Sequence, residues 1–370
     1  MALIKTYKLL LFGGVFFTQM AIGQDIKKTY YPSGKLKEQY EVTILGKDTI
    51  KSGNYCFFFE NGKKMQVGKI ENNLLTGTWQ TFYDNGQIKA EWTFKENKKN
   101  GIFRIYGPNK QLLQTGNYTS GMPNGIITTY RENGRKQHES EYKNGVQSGI
   151  QRDFDDNGTL LIEREMVNGI EDGYYRSNYP TGQKREIGKK KNGNWTDTLF
   201  TYYLTGAIKR KCMMVDGSIE GTLTSYYENG AIQEISQYQS NKYNGIYTEF
   251  YPSGLTKEIG NYSKGVRTGT WKAYFPSGSI FSEGNISEGK YSNTWRVYNL
   301  NGTIKTIGSY MDGIEDGEWL NFGNTGNLET TGSYVQSNRH GIWRAFEPSG
   351  RHQETALFLF GNLIYIRKQQ

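Results

Sequence analysis

The sequence predicts an all-β fold, an elongated single-array antiparallel β-meander built from 24-residue β-hairpin repeats, about thirteen of them. Composition is the first observation behind this. Glycine supplies 46 of 370 residues, about 12% where roughly 7% is usual, and proline only 7. With 28 Tyr, 18 Phe and 7 Trp, the chain is too aromatic to remain disordered. Glycine and tyrosine without proline are what short strands and tight turns require. The second observation is a period. Gly62, Gly86, Gly134, Gly158, Gly182, Gly206, Gly230, Gly254, Gly278, Gly302, Gly326 and Gly350 are spaced by 24 residues, with one step of 48 whose vacant phase is Lys110. The third is a set of columns locked to that period. Four residues before each turn glycine stands an aromatic, from Phe58 and Phe82 to Phe322 and Phe346, broken only at Asn178.

Each segment can be justified in turn. Residues 1–23 carry Lys5 and Lys8, then an apolar run too short to span a bilayer, then Ala21 and Gly23 at the −3 and −1 places before Gln24. This is a secretory signal pattern, and it places the mature chain in the periplasm, at the outer membrane or outside the cell. Removing two lysines and no acids lowers the formal charge from +9 to +7. Residues 24–61 form an N-terminal cap and a first irregular repeat, because the step from Gly34 to Gly62 is 28 and carries four extra residues. Residues 62–350 are the regular repeats. Each has a strand of about six residues, a tight Asn-Gly or Pro-Ser-Gly turn, a second strand and a glycine-flanked return loop. Further glycine columns lie nine residues before the turn, as at Gly173 and Gly245, and eleven after it, as at Gly169 and Gly313. One hairpin is marginal alone, so stacking must bury the aromatic column. Residues 351–370 are C-terminal capping strands, apolar to Ile366 and finished by Arg367, Lys368, Gln369 and Gln370, a polar end that discourages edge-to-edge association.

Units such as Thr222–Gly230 (TLTSYYENG) and Gly269–Gly278 (GTWKAYFPSG) resemble the MORN repeat in its bacterial variant form, over nearly the whole mature chain. The resemblance implies an extended antiparallel sheet acting as a scaffold, a protein-binding platform or a lipid-associated module. Chains of the variant type often carry the label YwqK-like antitoxin; an export signal is at odds with an intracellular antitoxin.

Catalytic chemistry has little material here. His138, His340 and His352 are the only histidines and fall in different phases or distant units, which favours exposed strand positions over a catalytic or metal pair. Cys56 and Cys212 are six and a half repeats apart, too far for a disulfide, and are expected free in buried small-residue slots. The acidic loops at 169–173 and 313–317 lack the alternating ligands of a calcium loop and read as polar turns. No cofactor, metal or enzymatic activity is expected.

Two features stand out as candidate contact surfaces. The unit around Gly182 breaks several column rules at once: Asn178 replaces the aromatic, Lys184 and Lys190 occupy slots commonly apolar elsewhere, and Asp197 replaces a glycine. Such a site is a candidate for function or for a hinge. The same stretch concentrates charge, with Lys184, Arg185, Lys189, Lys190, Lys191, Lys209, Arg210 and Lys211 opposed within 183–212 only by Glu186 and Asp197. This basic patch would contact an anionic lipid, an acidic glycan or an acidic protein; ordinary solvated strands, or a register slip placing Tyr179 in the slot of Asn178, are the plainer alternatives. The second feature is an aromatic ladder three residues before the turn glycine, Tyr179, Tyr203, Tyr227, Tyr251 and Phe275, suited to sugar rings or an extended peptide. Its plainer alternative is packing, helped by Trp271, Trp295, Trp319 and Trp343 four residues upstream of that position in their units. The functional expectation is an exported, non-enzymatic scaffold or binding protein of a bacterial envelope, whose partner is a protein, a glycan or an anionic lipid and not nucleic acid. An antitoxin-like or immunity protein that covers a toxin is the alternative.

Overall fold

The computed structural model describes residues 23–45 and 47–369, so the expected signal peptide lies outside the described residues apart from Gly23. Every regular element described is a β-strand, and among the described residues no helix is long and apolar enough to cross a membrane. Strands pair antiparallel with their neighbours in the chain, which makes the fold the all-β meander that the period predicts. Contacts divide the chain into two compact units, residues 1–146 and 147–370.

One repeat of the second unit serves for all. Lys184–Lys191 and Asn194–Tyr202 are joined by a two-residue return turn, Asn192 and Gly193, both at positive φ (49° and 82°). Two successive positive φ values define the type I′ hairpin turn, whose twist matches that of the strands it joins. The next connection is tighter in hydrogen bonding than in length: the Tyr203 N–H donates to the Ala207 carbonyl at 2.8 Å, and the Gly206 N–H to the Tyr203 carbonyl at 2.9 Å. The strands run to eight and nine residues, longer than six, because the return turn needs only two. The glycine column nine before the turn therefore lies inside a strand. Gly173, at φ 126°, sits where the register with Leu160–Val167 shifts, so it forms a bulge and not a loop flank.

The core also differs from the aromatic column read in the sequence. Those aromatics are only half-buried. What is buried lies three residues upstream, on one face of the strands: Trp79 and Phe103 in the first unit, Tyr175, Leu223, Trp271, Trp319 and Trp343 in the second. Each tryptophan lies flat over a small residue of the preceding strand. Trp271 is 2% exposed and covers Gly260, where an added Cβ would stand 2.1 Å from the ring. The pairs Gly68 with Trp79, Gly308 with Trp319 and Gly332 with Trp343 repeat this. The indole N–H of Trp79 then donates to Lys69 O at 3.1 Å and that of Trp343 to Ser333 O at 3.1 Å, just past the glycine, whereas Trp271 donates to Thr268 O of its own strand at 3.2 Å. Tyrosines from the column eight after the turn close the stack edge-on, Tyr262 on Trp271 at 5.3 Å and Tyr334 on Trp343 at 5.1 Å.

In the first unit the insertion before Gly62 lengthens its hairpin. Leu36–Leu45 and Asp48–Phe58 have 10 and 11 residues, against 8 and 9 in the regular repeats. There too Trp92 occupies the small-residue slot, and Phe103 stacks on it at 4.8 Å with the rings nearly parallel.

Candidate binding surface

The irregular repeat keeps a regular backbone. Tyr179 accepts from Gly182 N and donates to Gln183 O as its counterparts do, so the chain does not slip by one residue to put Tyr179 into the aromatic slot. Asn178 is buried there and fills the slot with hydrogen bonds, its Nδ2 donating to Leu160 O at 2.8 Å and its Oδ1 accepting from Arg176 Nε at 2.9 Å. Asp197 takes the glycine's positive φ at 63°, as Asn293 does at 57°. Hydrogen bonds from Lys189 and the Thr198 backbone N–H, together with the lysine charge, hold the Asp197 carboxyl below the ordinary carboxylate range.

The structure separates the eight cations into two groups. Lys189 pairs with Asp197 at 3.0 Å and Lys191 with Asp172 at 3.0 Å. Lys190 pairs with Glu171 while its ammonium lies 4.7 Å from the Tyr175 ring centroid and 5.0 Å from that of Trp195. The acidic return loop at 169–173 thus belongs to the lysines one hairpin later, a match hidden by a separation of 19 positions in the chain. Arg185 donates to Ser177 Oγ at 3.2 Å and stands 3.8 Å from Glu186. Lys184, Lys209, Arg210 and Lys211 have no carboxylate within 4 Å among the described residues. Lys209 reaches over Tyr203 and Lys211 over Phe200, at 5.6 and 5.9 Å. Alternation along the strand Ile208–Val215 sends Arg210 to the opposite face, the side of buried Cys212.

Lys190 also belongs to a polar cluster that the charge count did not reveal. Arg164 stands in the small-residue column and Gln151 in the tryptophan column. Arg164 donates to Gln151 at 3.1 Å, to Glu171 at 3.1 Å and to Asp153 at 3.0 Å. Here the tryptophan-on-glycine stack is replaced by an ion-paired network, Arg164 to Glu171 to Lys190. The readable signals were a charge in a glycine column and an amide in a tryptophan column.

The aromatic ladder occupies the turn edge. The hydroxyl of Tyr179 donates to Tyr202 O, Tyr203 to Tyr226 O, Tyr227 to Phe250 O and Tyr251 to Tyr274 O, each at 2.8 Å. Tyr31 and Tyr83 make the same bond in the first unit. Phe275 has no hydroxyl to give and packs edge-on against Phe281 at 5.1 Å. Each tyrosine thereby ties its turn to the strand end of the next repeat. The opposite edge has its own tie, from a return-turn N–H to the carbonyl 22 residues earlier, as from Gly193 to Glu171 O and from Gly217 to Trp195 O, both at 2.8 Å.

The remaining candidates for chemistry are occupied by structure. The three histidines are half-buried: His138 shares a hydrogen with Ser140 Oγ, His340 packs on Phe360, and His352 contacts Thr355 at 3.0 Å. Cys56 is half-buried and not in the small-residue column, whereas Cys212 is in that column, buried against Met214 and Leu223; both are free thiols. Burial raises the pKa of each. Among the described residues no three His, Cys, Asp or Glu side chains converge as a metal site.

Four segments of the chain, residues 26–42, 75–96, 219–240 and 267–287, match the MORN repeat variant. They recur in both units at the phase of the structural repeat. No curated protein matches the sequence. Among solved structures, 90% of the chain aligns with 19% of a chain in the crystal structure of TcdB2-TccC3-Cdc42, at 11% identity and a TM-score of 0.18. A chain of the Photorhabdus luminescens Tc holotoxin pore aligns similarly, at 11% identity and 0.17, over 20% of its length. The chain spans about a fifth of those chains, and scores so low carry no argument.

Proposed function

We propose that this chain is an exported, non-enzymatic repeat scaffold of the MORN type that binds an anionic partner at the bacterial envelope. The observation that supports it is the second group of cations. Lys209, Arg210 and Lys211 stand on one exposed strand without carboxylate partners, whereas Lys189, Lys190 and Lys191 are paired with acids of the chain itself. The four MORN matches support a repeat-type binding surface. Residues 1–23 support export.

The test has two parts. Cells expressing the full chain are fractionated, and the mass of the protein is measured in each fraction; a cytoplasmic protein retaining residues 1–23 would refute export. The exported protein then captures partners from envelope extract at low and high salt. Release by salt fits an exposed cationic surface, since such charges are screened within about 10 Å at 0.1 M. Failure to capture any envelope component would refute the binding role.

A further inference from the structure

Lys211 borders a hollow of about 650 Å³ in the sheet surface, larger than those of about 480 and 490 Å³ in the first unit. Its wall includes Met213, Glu220, Thr222, Thr224 and Tyr226. The register explains the opening. Lys211 lies opposite Phe200 on one side and Thr224 on the other, and Met213 lies between Thr198 and Glu220. Thr198 and Thr222 occupy slots that the flanking repeats fill with Tyr174 and Ile246, both exposed large side chains. Two small residues where neighbours carry large ones leave the space.

The chemistry of the wall is uneven in a useful way. Glu220 makes no ion pair with Lys211 within 4 Å; its carboxylate is turned to the next turn, where Oε1 accepts from the Ser240 backbone N–H at 2.8 Å and from its hydroxyl at 3.2 Å. The hydroxyls of Thr222 and Thr224 have no protein hydrogen-bond partner among the described residues. Lys209, two residues along the strand, faces the same side. An ammonium without an ion-pair partner, two hydroxyls without a hydrogen-bond partner and the Tyr226 side chain match a sugar ring bearing a carboxylate. A second ammonium about 7 Å along the strand suits the next charge of a chain of such rings.

We propose that this hollow is the subsite for one acidic sugar of a polyanionic glycan, with Lys211 holding the carboxylate and Thr222 and Thr224 the ring hydroxyls. It rests on the scaffold reading above and names the ligand class of that surface.

The probe is hexagalacturonate, titrated calorimetrically into the full chain, with uncharged maltohexaose as control. Hexagalacturonate binds and weakens between low and moderate salt, while maltohexaose gives no heat. Lys211→Ala lowers the affinity about tenfold and Thr222→Val about threefold, with melting temperatures unchanged. Lys189→Ala, which removes a lysine already paired with Asp197, leaves it unchanged. Equal affinities for the Lys211 and Lys189 variants overturn the proposal. So does the absence of binding at millimolar sugar, or binding to phosphatidylglycerol vesicles without binding to the sugar. If the Lys211 variant and the wild type capture the same envelope partner while neither binds hexagalacturonate, the subsite falls and the scaffold reading stands.

Discussion

A methyl group separates alanine from glycine, and position 260 has no room for one. The ring of Trp271 lies where that methyl would go, 2.1 Å from its nearest atom. Gly260→Ala must push the indole off the strand and break the geometry of its stack with Tyr262. Overpacking of this kind costs about 2 kcal/mol, and urea unfolding of the second unit is the measurement; a variant as stable as the wild type would show the stack is loose. The tyrosine hydroxyls make a milder case. Tyr227→Phe removes one bond to the Phe250 carbonyl and is expected to cost about 1 kcal/mol. Phe275→Tyr, at the ladder position that lacks a hydroxyl, is expected to stabilise by a similar amount, and opposite shifts in melting temperature for the two variants would check both. The sequence contained both features only as columns. Glycine there reads equally as a turn, a bulge or a bed for a ring, and only the register decides. Tyrosine beside a turn does not disclose whether its hydroxyl meets solvent or the next repeat.

At the scale of the strand and its turn, the 24-residue period made the elements legible almost completely. The exception is instructive. Nine before the turn, glycine was read as part of a loop, because turn and bulge both demand positive φ and the sequence cannot tell a two-residue type I′ connection from a longer one. The basic unit was legible as a surplus of charge and not as an arrangement. Its lysines meet Glu171 and Asp172 through strand pairing, and pairing partners lie a hairpin away in the chain. Lys190 carries the energetic content of that finding. Its side chain is only 17% exposed and shares Glu171 with Arg164. Lys190→Ala leaves a partly buried carboxylate with one cation fewer and is expected to cost about 2 kcal/mol. Lys190→Tyr restores the residue type of Tyr118, Tyr262 and Tyr310 while Arg164 still holds Glu171, and should fall within about 1 kcal/mol of the wild type. Thermal unfolding of the pair separates a structural lysine from a purely exposed one, for which the two variants would be indistinguishable.

At the scale of the whole molecule, the tyrosine content becomes a titration. Burial is the main cause that raises the phenol pKa of Tyr238, Tyr243, Tyr247 and Tyr310 above the ordinary value, with nearby Glu234, Glu249 and Glu315 adding to it. The folded state therefore keeps these phenols protonated where the unfolded chain ionises them, near pH 10. The stability they contribute is fully present below about pH 10 and is lost as pH rises beyond it. Ionisation of these four half-buried phenols should coincide with loss of the circular-dichroism signal in that window, and their ionisation near pH 10 with the sheet intact would contradict it. Function is the least legible level. A repeat specifies its fold many times over, but the proposed binding surface is written once, by departures such as Thr198 and Thr222 whose meaning depends on what surrounds them.

The ties along the two edges of each unit also set a pace for folding. A tyrosine bond spans 23 residues and a return-turn bond 22, and neither distance changes with the number of repeats. The loop that must close to dock each hairpin is thus always short, and its entropic penalty is the same at every step. Relative contact order falls as such a unit lengthens, so growth by duplication adds hairpins without adding a slower search. Assembly can begin at whichever hairpin forms first and advance in both directions, like a zipper with many starting teeth.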